Sequence, residues 1–417
     1  MLAEIVTIGD ELTRGEIVDT NAAGLAARLW ALGVPVRWMT SCRDDDDDIR
    51  AALTAAVGRA GLVLVSGGLG PTEDDRTVDV VAGLLGVGVA HDPVAQARLE
   101  TMMAARGRPV TEVNLRQVRA PRGARIHPNQ AGLAPGFEVE LAGVPVVCLP
   151  GVPREVYAIF DGSVAARVGE LAAAAGAPAI ARAIYRVFGR SESQVSEALR
   201  GMVDAVPGAT IHYQVKFPET LVKLVVSDPD RGVAEAGLAQ LDGEVRARLG
   251  RWIYGTGEVA LPAVVAARLG GAGRTVAVAE SCTAGLLGAL LTEGPGASRF
   301  FLGGAIVYAN AEKERALGVP AEVLREHGAV SEACVIAMAE GIRAATGAEL
   351  GVAISGVAGP DGDTADKPVG TVWLALAQVG RAPTTFTFRW PGARDQVRTL
   401  AAWWALALLR DAVEGAP

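Results

Sequence analysis

Residues Leu62–Asp74 read LVLVSGGLGPTED: an apolar, valine-rich run that breaks at once into glycines and a proline. A short run of this kind suits a strand buried on both faces. The glycine-rich exit suits a tight turn whose backbone amides stay open to a ligand. Working outward, EIVTI (4–8) and VPVRWMT (34–40) are further strand candidates, separated by helical patterns over about 19–32 and up to Ala60. Such β-α-β alternation predicts a parallel sheet with helices on both faces, and ligands of such sheets gather at the carboxyl ends of the strands. A second polar, glycine-bearing segment, GDELTRGEIVDTN (9–21), follows the first of these strands.

The pattern changes twice along the chain. AIYRVFG, SESQVSEALRGMV, ATIHYQV, TLVKLVVS and GVAEAGLAQLDGEVRARL (183–249) read as strand, helix, two strands and a long helix, a small α+β unit without a cluster of catalytic groups. From about residue 261 α/β alternation resumes with RTVAVA, RFFLGGAIVY, ELGVAIS, VGTVWLALA, TTFTFRW and a terminal helix. The 417 residues are thus expected to form three domains, 1–172, 178–256 and 260–417, in an α/β chain with a parallel sheet at each end. Ser66–Asp74 and Ser355–Asp363 share S-G-x-x-G-P-x-x-D, each after a strand candidate, an echo that reads as convergence on one need for close backbone approach.

Composition narrows the function. The net charge of −8 and the lack of a Lys/Arg stripe argue against direct nucleic-acid binding. The start, MLAEIVTIGDEL, lacks the basic and apolar regions of a signal peptide, and no stretch has the roughly 18 apolar residues of a membrane span, so a cytoplasmic location is expected. The four cysteines show neither a CxxC pair nor zinc spacing. None of the four histidines lies in a glycine-rich turn, which disfavours a Ser-His-Asp triad.

Ser281 sits where RTVAVA gives way to CTAGLLGALL, a place where helix amides could form an oxyanion site. An isolated serine there reads first as a helix N-cap. Cys282 competes with it as nucleophile, since a thiol at a helix N-terminus has a lowered pKa. Tyr308 ends a strand after the pair Gly303–Gly304, Asn310 opens a helix, and Lys313 lies in its first turn, where the dipole disfavours a cation and favours a usable base.

The strings AESCTAG, VYANAEK, GAVSE, AISGVAGPDG, KPVGTVW and GARDQVR resemble the CinA C-terminal domain, whose working members are nicotinamide mononucleotide amidohydrolases. The resemblance implies Ser281 as nucleophile assisted by Tyr308 and Lys313, without a cofactor. It departs at Ala284, where the family usually has glycine. Thr283, Gly303, Gly304, Asn310, Gly356, Ala358, Gly359 and Arg394 are candidate substrate contacts, the glycine turn and Arg394 for a phosphate.

GDELTRGEIVDTN, GGLGPTEDDRT, NQAGLAPGF and LPGVPREV resemble the molybdopterin-binding-like domain of full-length CinA, whose members include metal-dependent ADP-ribose pyrophosphatases. The middle unit resembles that family's KH-like domain but lacks a G-x-x-G loop. Candidates at the N-terminal site are Asp10, Asn21, Gly67, Gly68, Gly70, Thr72, Asp74 and Asp75, with Asp10, Asp74 and Asp75 as ligands for Mg²⁺, Mn²⁺ or a similar ion. The run Asp44–Asp48 is expected to favour a helix N-terminus. The resemblance implies a homodimer acting on nicotinamide mononucleotide and ADP-ribose, with a nucleotide- or pterin-binding sensor or scaffold as the alternative.

Overall fold

Ala3–Ile8 and Leu62–Ser66 are buried at every position, and their residues alternate between two cores. Ile5, Leu62 and Leu64 pack with Leu25 and Leu29 of the helix Thr20–Ala31, while Val6, Val63 and Val65 pack with Ile49 and Leu53 of the helix Asp46–Val57. A sheet with helices on both faces follows, because every strand residue has an apolar layer to meet. The computed structural model describes residues 1–414.

In the first sheet the six strands run in the order Val36–Cys42, Ala3–Ile8, Leu62–Ser66, Val144–Leu149, Gly136–Leu141 and Arg125–His127. The first four are parallel and the last two antiparallel. Asp19 caps the helix Thr20–Ala31, and Asp45 caps Asp46–Val57 by accepting from the amides of Asp47 and Asp48, so the acidic run serves mainly the helix end.

The last sheet has five strands in the order Phe301–Ile306, Val276–Glu280, Leu350–Gly356, Thr371–Gln378 and Arg381–Arg389. Its first three are parallel and its last two antiparallel. Val276, Val278 and Val352 face the helices Leu261–Ala272 and Arg394–Glu414; Ala277, Ala279 and Ala353 face Glu332–Thr346. Between these sheets in sequence lies a four-stranded one, ordered Ala209–Lys216, Glu219–Asp228, Ala179–Val187 and Ile253–Thr256. The chain therefore has the three-domain α/β architecture expected of it. Packing gathers it into two compact units, Met1–Arg182 with Val226–Gly237, and Ala183–Val225 with Leu238–Pro417. Among the described residues no helix is long and apolar enough to cross a membrane, and all four cysteines are free and buried.

Candidate active site

Ser281 follows the strand Val276–Glu280 directly, and its amide donates to the Ile354 carbonyl at 3.0 Å, so the sheet itself fixes the serine backbone. The chain then turns instead of coiling: Ala284 has φ 50°, Gly285 has φ 93°, and the helix begins only at Leu286. This corrects the expectation that Ser281 stands at a helix start. The helix amides are also taken. Glu280, 1 % exposed, accepts from Gly285 at 3.0 Å, Leu287 at 3.1 Å and Gly288 at 2.8 Å. The expected oxyanion site at the helix N-terminus is therefore filled by a carboxylate. Inside the serine turn, the amides of Cys282 and Thr283 have no acceptor among the described residues, and they are the donors left for a developing oxyanion.

Lys313 reaches this turn from the helix Asn310–Leu317 and is 1 % exposed. Its Nζ lies 2.8 Å from the Val307 carbonyl, 3.2 Å from the Tyr308 carbonyl and 3.3 Å from Ser281 Oγ. Burial pushes its pKa below the ordinary lysine value of 10.5. A neutral amine has two N–H groups and one lone pair. As an ammonium Nζ donates to all three oxygens; once neutral it can keep its two N–H groups on the carbonyls and turn its lone pair to the serine hydroxyl.

The contact between Lys313 and Ser281 is direct, and Tyr308 meets the lysine through its backbone carbonyl. The Tyr308 side chain is 58 % exposed, and its hydroxyl accepts from Arg394 at 3.0 Å, while a second nitrogen of Arg394 donates to the Gly359 carbonyl at 2.7 Å. Arg394 thereby ties the tyrosine to the glycine turn after the strand Leu350–Gly356. Cys282 belongs to the apolar core, and burial pushes its thiol up to about 12, the reverse of an activated nucleophile.

The remaining candidates divide. Ala358 and Gly359 lie at the turn held by Arg394, and Asn310 is exposed at the first position of the lysine helix. Gly304 is bare for packing, since a Cβ there would meet Val278 Cγ2 at 2.5 Å; at Gly356 it would meet Val372 Cγ2 at 2.8 Å. Gly303 has open space around it. Thr283 is fully buried, its hydroxyl has no partner, and its carbonyl accepts from Arg398 at 2.8 Å. Glu280 and Arg398 hold the serine turn from either side. An acid directly before the serine was the visible signal for the first; nothing local marks the second.

In the first domain a cavity of about 930 Å³ opens at the carboxyl ends of the parallel strands, lined by Gly67, Gly68, Gly70, Asp44, Asp74 and Asp75 among others, with Arg106 and Arg154 also on its wall. Gly67 has φ 119° and Gly68 φ 69°, and a Cβ would lie 2.1 Å from Ile8 O and 2.2 Å from Thr77 Oγ1, respectively. Only glycine fits either place. Asp75 turns back on the loop, accepting from the Thr72 amide at 2.8 Å and its hydroxyl at 2.6 Å. Asp10 is ion-paired with Arg14 and exchanges backbone–carboxylate hydrogen bonds with Asp44. Asn21 braces Ser66 and the Gly151 carbonyl. Among the described residues no three Asp, Glu, His or Cys side chains converge on a metal-sized site. As arranged, Asp10, Asp74 and Asp75 do not form the expected ligand set, because Arg14 and Thr72 have taken two of the three carboxylates.

Three families match in chain order: a probable molybdopterin binding domain over residues 4–170, the damage-inducible protein CinA KH domain over 182–255, and the CinA C-terminal domain over 258–413. A CinA-like protein of Anaeromyxobacter dehalogenans is 45% identical over 99% of this chain and 100% of its own length. A putative competence-damage inducible protein of Symbiobacterium thermophilum is 42% identical over 98% of each chain. The crystal structure of a competence-damaged protein (CinA) superfamily protein from Klebsiella pneumoniae is 37% identical, covering 37% of this chain and 96% of its own, with a TM-score of 0.36. With relatives of this identity along its whole length and all three domains in order, the chain belongs to the CinA family.

Proposed function

We propose that the C-terminal domain is a serine amidohydrolase acting on nicotinamide mononucleotide. One observation carries this reading: a buried lysine, its pKa lowered by burial, has its Nζ 3.3 Å from a serine hydroxyl at the carboxyl end of a strand. Ser-Lys pairs of this kind cleave amides without histidine or metal.

In the proposed reaction, neutral Lys313 takes the Ser281 proton as Oγ attacks the carboxamide carbon. The oxyanion is met by the Cys282 and Thr283 amides. Collapse breaks the C–N bond; the Lys313 ammonium protonates the leaving nitrogen, and ammonia departs from an ester on Ser281. Water then attacks that ester, giving one proton to Lys313 and from there to Ser281 Oγ; nicotinic acid mononucleotide leaves as the acid and ionises, its proton taken up by the released ammonia or solvent. In this reading Gly359, Ala358 and Arg394 hold the rest of the nucleotide. The full chain is expected to release ammonia from nicotinamide mononucleotide, with Ser281→Ala and Lys313→Ala each lowering kcat by at least about 10³-fold and the double variant losing little more. Undiminished release by Ser281→Ala sinks the reading.

For the N-terminal domain the proposal is hydrolysis of ADP-ribose to AMP and ribose 5-phosphate. It is supported by a cavity wide enough for a dinucleotide-sized ligand and by a glycine turn at the strand ends, where the Gly67 amide is taken by the Leu149 carbonyl but those of Gly68 and Gly70 have no backbone acceptor among the described residues. The side chains as arranged offer no resident metal site, so Asp75 is assigned to the turn and not to coordination. Asp75→Asn keeps an acceptor for Thr72 and is expected to retain turnover within a few-fold, whereas Asp75→Ala loses it; equal loss in both returns Asp75 to the chemistry.

A further inference from the structure

The middle domain holds no reactive group, yet it walls a cavity of about 390 Å³ together with the C-terminal domain, inside one packed unit. On one side stand Phe188 and Phe217, on the other Phe388, Trp390 and Trp404. An aromatic seam supports the walls: Phe188 and Trp404 have centroids 4.9 Å apart, Phe386 and Trp404 4.3 Å, and Phe217 and Trp390 6.1 Å. Phe188 is buried and Phe388 and Trp404 are partly buried, while Phe217 and Trp390 remain 40% and 39% exposed, a pair of aromatic rings open to solvent at the mouth.

The charge at this mouth is unbalanced. Arg190 and Arg389 line the cavity and are exposed, and among the described residues neither has a carboxylate partner; Arg190 lies over the Trp252 ring at 4.5 Å. Of the two acids on the wall, Glu219 is buried and already engaged by Arg186 at 3.6 Å and by the Tyr254 hydroxyl, leaving only exposed Glu192. Aromatic faces and unpaired guanidinium groups around a space of a few hundred cubic ångströms suit a planar ring that carries negative charge.

We propose that this cavity is a third nucleotide site, binding a planar aromatic anion of mononucleotide size, the ring stacked on the Phe217–Trp390 pair and the anion against Arg389 and Arg190. It is separate from Ser281 and from the N-terminal cavity, and it gives the middle domain a ligand-binding role without a nucleic-acid loop. The test uses the full chain and AMP, read by tryptophan fluorescence and by calorimetric titration. AMP is expected to bind saturably and to perturb Trp390, while adenosine and inorganic phosphate, each lacking half of the ligand, bind at least tenfold more weakly. Arg389→Ala is expected to weaken AMP binding about tenfold and Arg389→Lys to restore most of it. AMP affinity unchanged in an Arg190→Ala/Arg389→Ala variant of native circular dichroism overturns the proposal, since binding then lies elsewhere. A 5′-phosphorylated oligoadenylate that binds more tightly than AMP at the same arginines overturns the mononucleotide assignment in favour of a nucleic-acid end. Neither outcome depends on ammonia release, so this site and the amidohydrolase reading stand or fall separately.

Discussion

The turns Ser66–Asp74 and Ser355–Asp363 share a sequence pattern and occupy the same place in two sheets. Each follows the third strand of a parallel core in which the first strand lies between the second and third. Their use differs. In the first, Gly67 and Gly68 both take left-handed backbone and press against Ile8 and Thr77, bending the chain away so that the turn lines a 930 Å³ cavity. In the second, Gly356 continues the strand, the left-handed glycines Gly359 and Gly362 come only later, and Arg394 donates to the Gly359 carbonyl. Topology supplies a ligand position at strand ends, and side chains decide what is done there. In the last domain the proposed nucleophile, Ser281, stands at the first strand's end, where the first domain has Gly9 and the ion-paired Asp10.

The largest expected effect that would break this comparison is steric. Gly67→Ala forces a Cβ onto a backbone oxygen at a left-handed position and should destabilise the first unit by about 3 kcal/mol or more. Gly359→Ala meets the Val369 side chain at 2.6 Å, which can yield, and should cost about half as much. Calorimetric unfolding of the full chain, resolved by unit, measures both. Equal costs would mean that the two turns are held alike.

A second test sharpens the chemical half. Lys313 works as a base only when neutral, so kcat/KM for ammonia release should rise with pH through its folded-state pKa and then level off, with the midpoint below 10.5. Cys282, with its thiol pushed up to about 12, stays protonated across that range. Cys282→Ala is therefore expected to leave the midpoint where it is and to change kcat by no more than a few-fold. A profile that moves with the cysteine would return the nucleophile to sulfur.

Much of the architecture was legible because strands buried on both faces must be largely apolar, as Ile5–Ile8, Leu62–Val65 and Val276–Ala279 are. Lys313 was legible as an oddity, a cation in the first turn of a helix. The helix start was not. CTAGLLGALL reads as one helical run, and nothing in it says that Ala284 is left-handed or that Glu280 will claim three amides from the strand side. The sign of the Cys282 shift was misread for a related reason: its neighbours in sequence suggest a helix dipole, while its neighbours in space are core side chains. The partners of the acidic N-terminal residues were not legible either, because sequence shows Arg14 and Thr72 only as near Asp10 and Asp75.

The smallest predicted effect bears on the one departure from the family pattern. Ala284 is one of two non-glycine residues with positive φ in the described chain, and it stands inside the turn that carries Ser281. An alanine there costs about 1–2 kcal/mol relative to ordinary backbone, a cost glycine does not have, although glycine also loses more entropy on folding. Ala284→Gly should therefore raise the stability of the second unit by about 1 kcal/mol at most. Its effect on catalysis separates two accounts of the turn. If the geometry of Ser281 is set by the strand, by Glu280 and by Lys313, kcat stays within about twofold, since none of these contacts passes through the Ala284 side chain. If the methyl group itself limits the backbone and so fixes the Cys282 and Thr283 amides, kcat falls while KM holds, because those donors act on the developing oxyanion and not on the bound substrate.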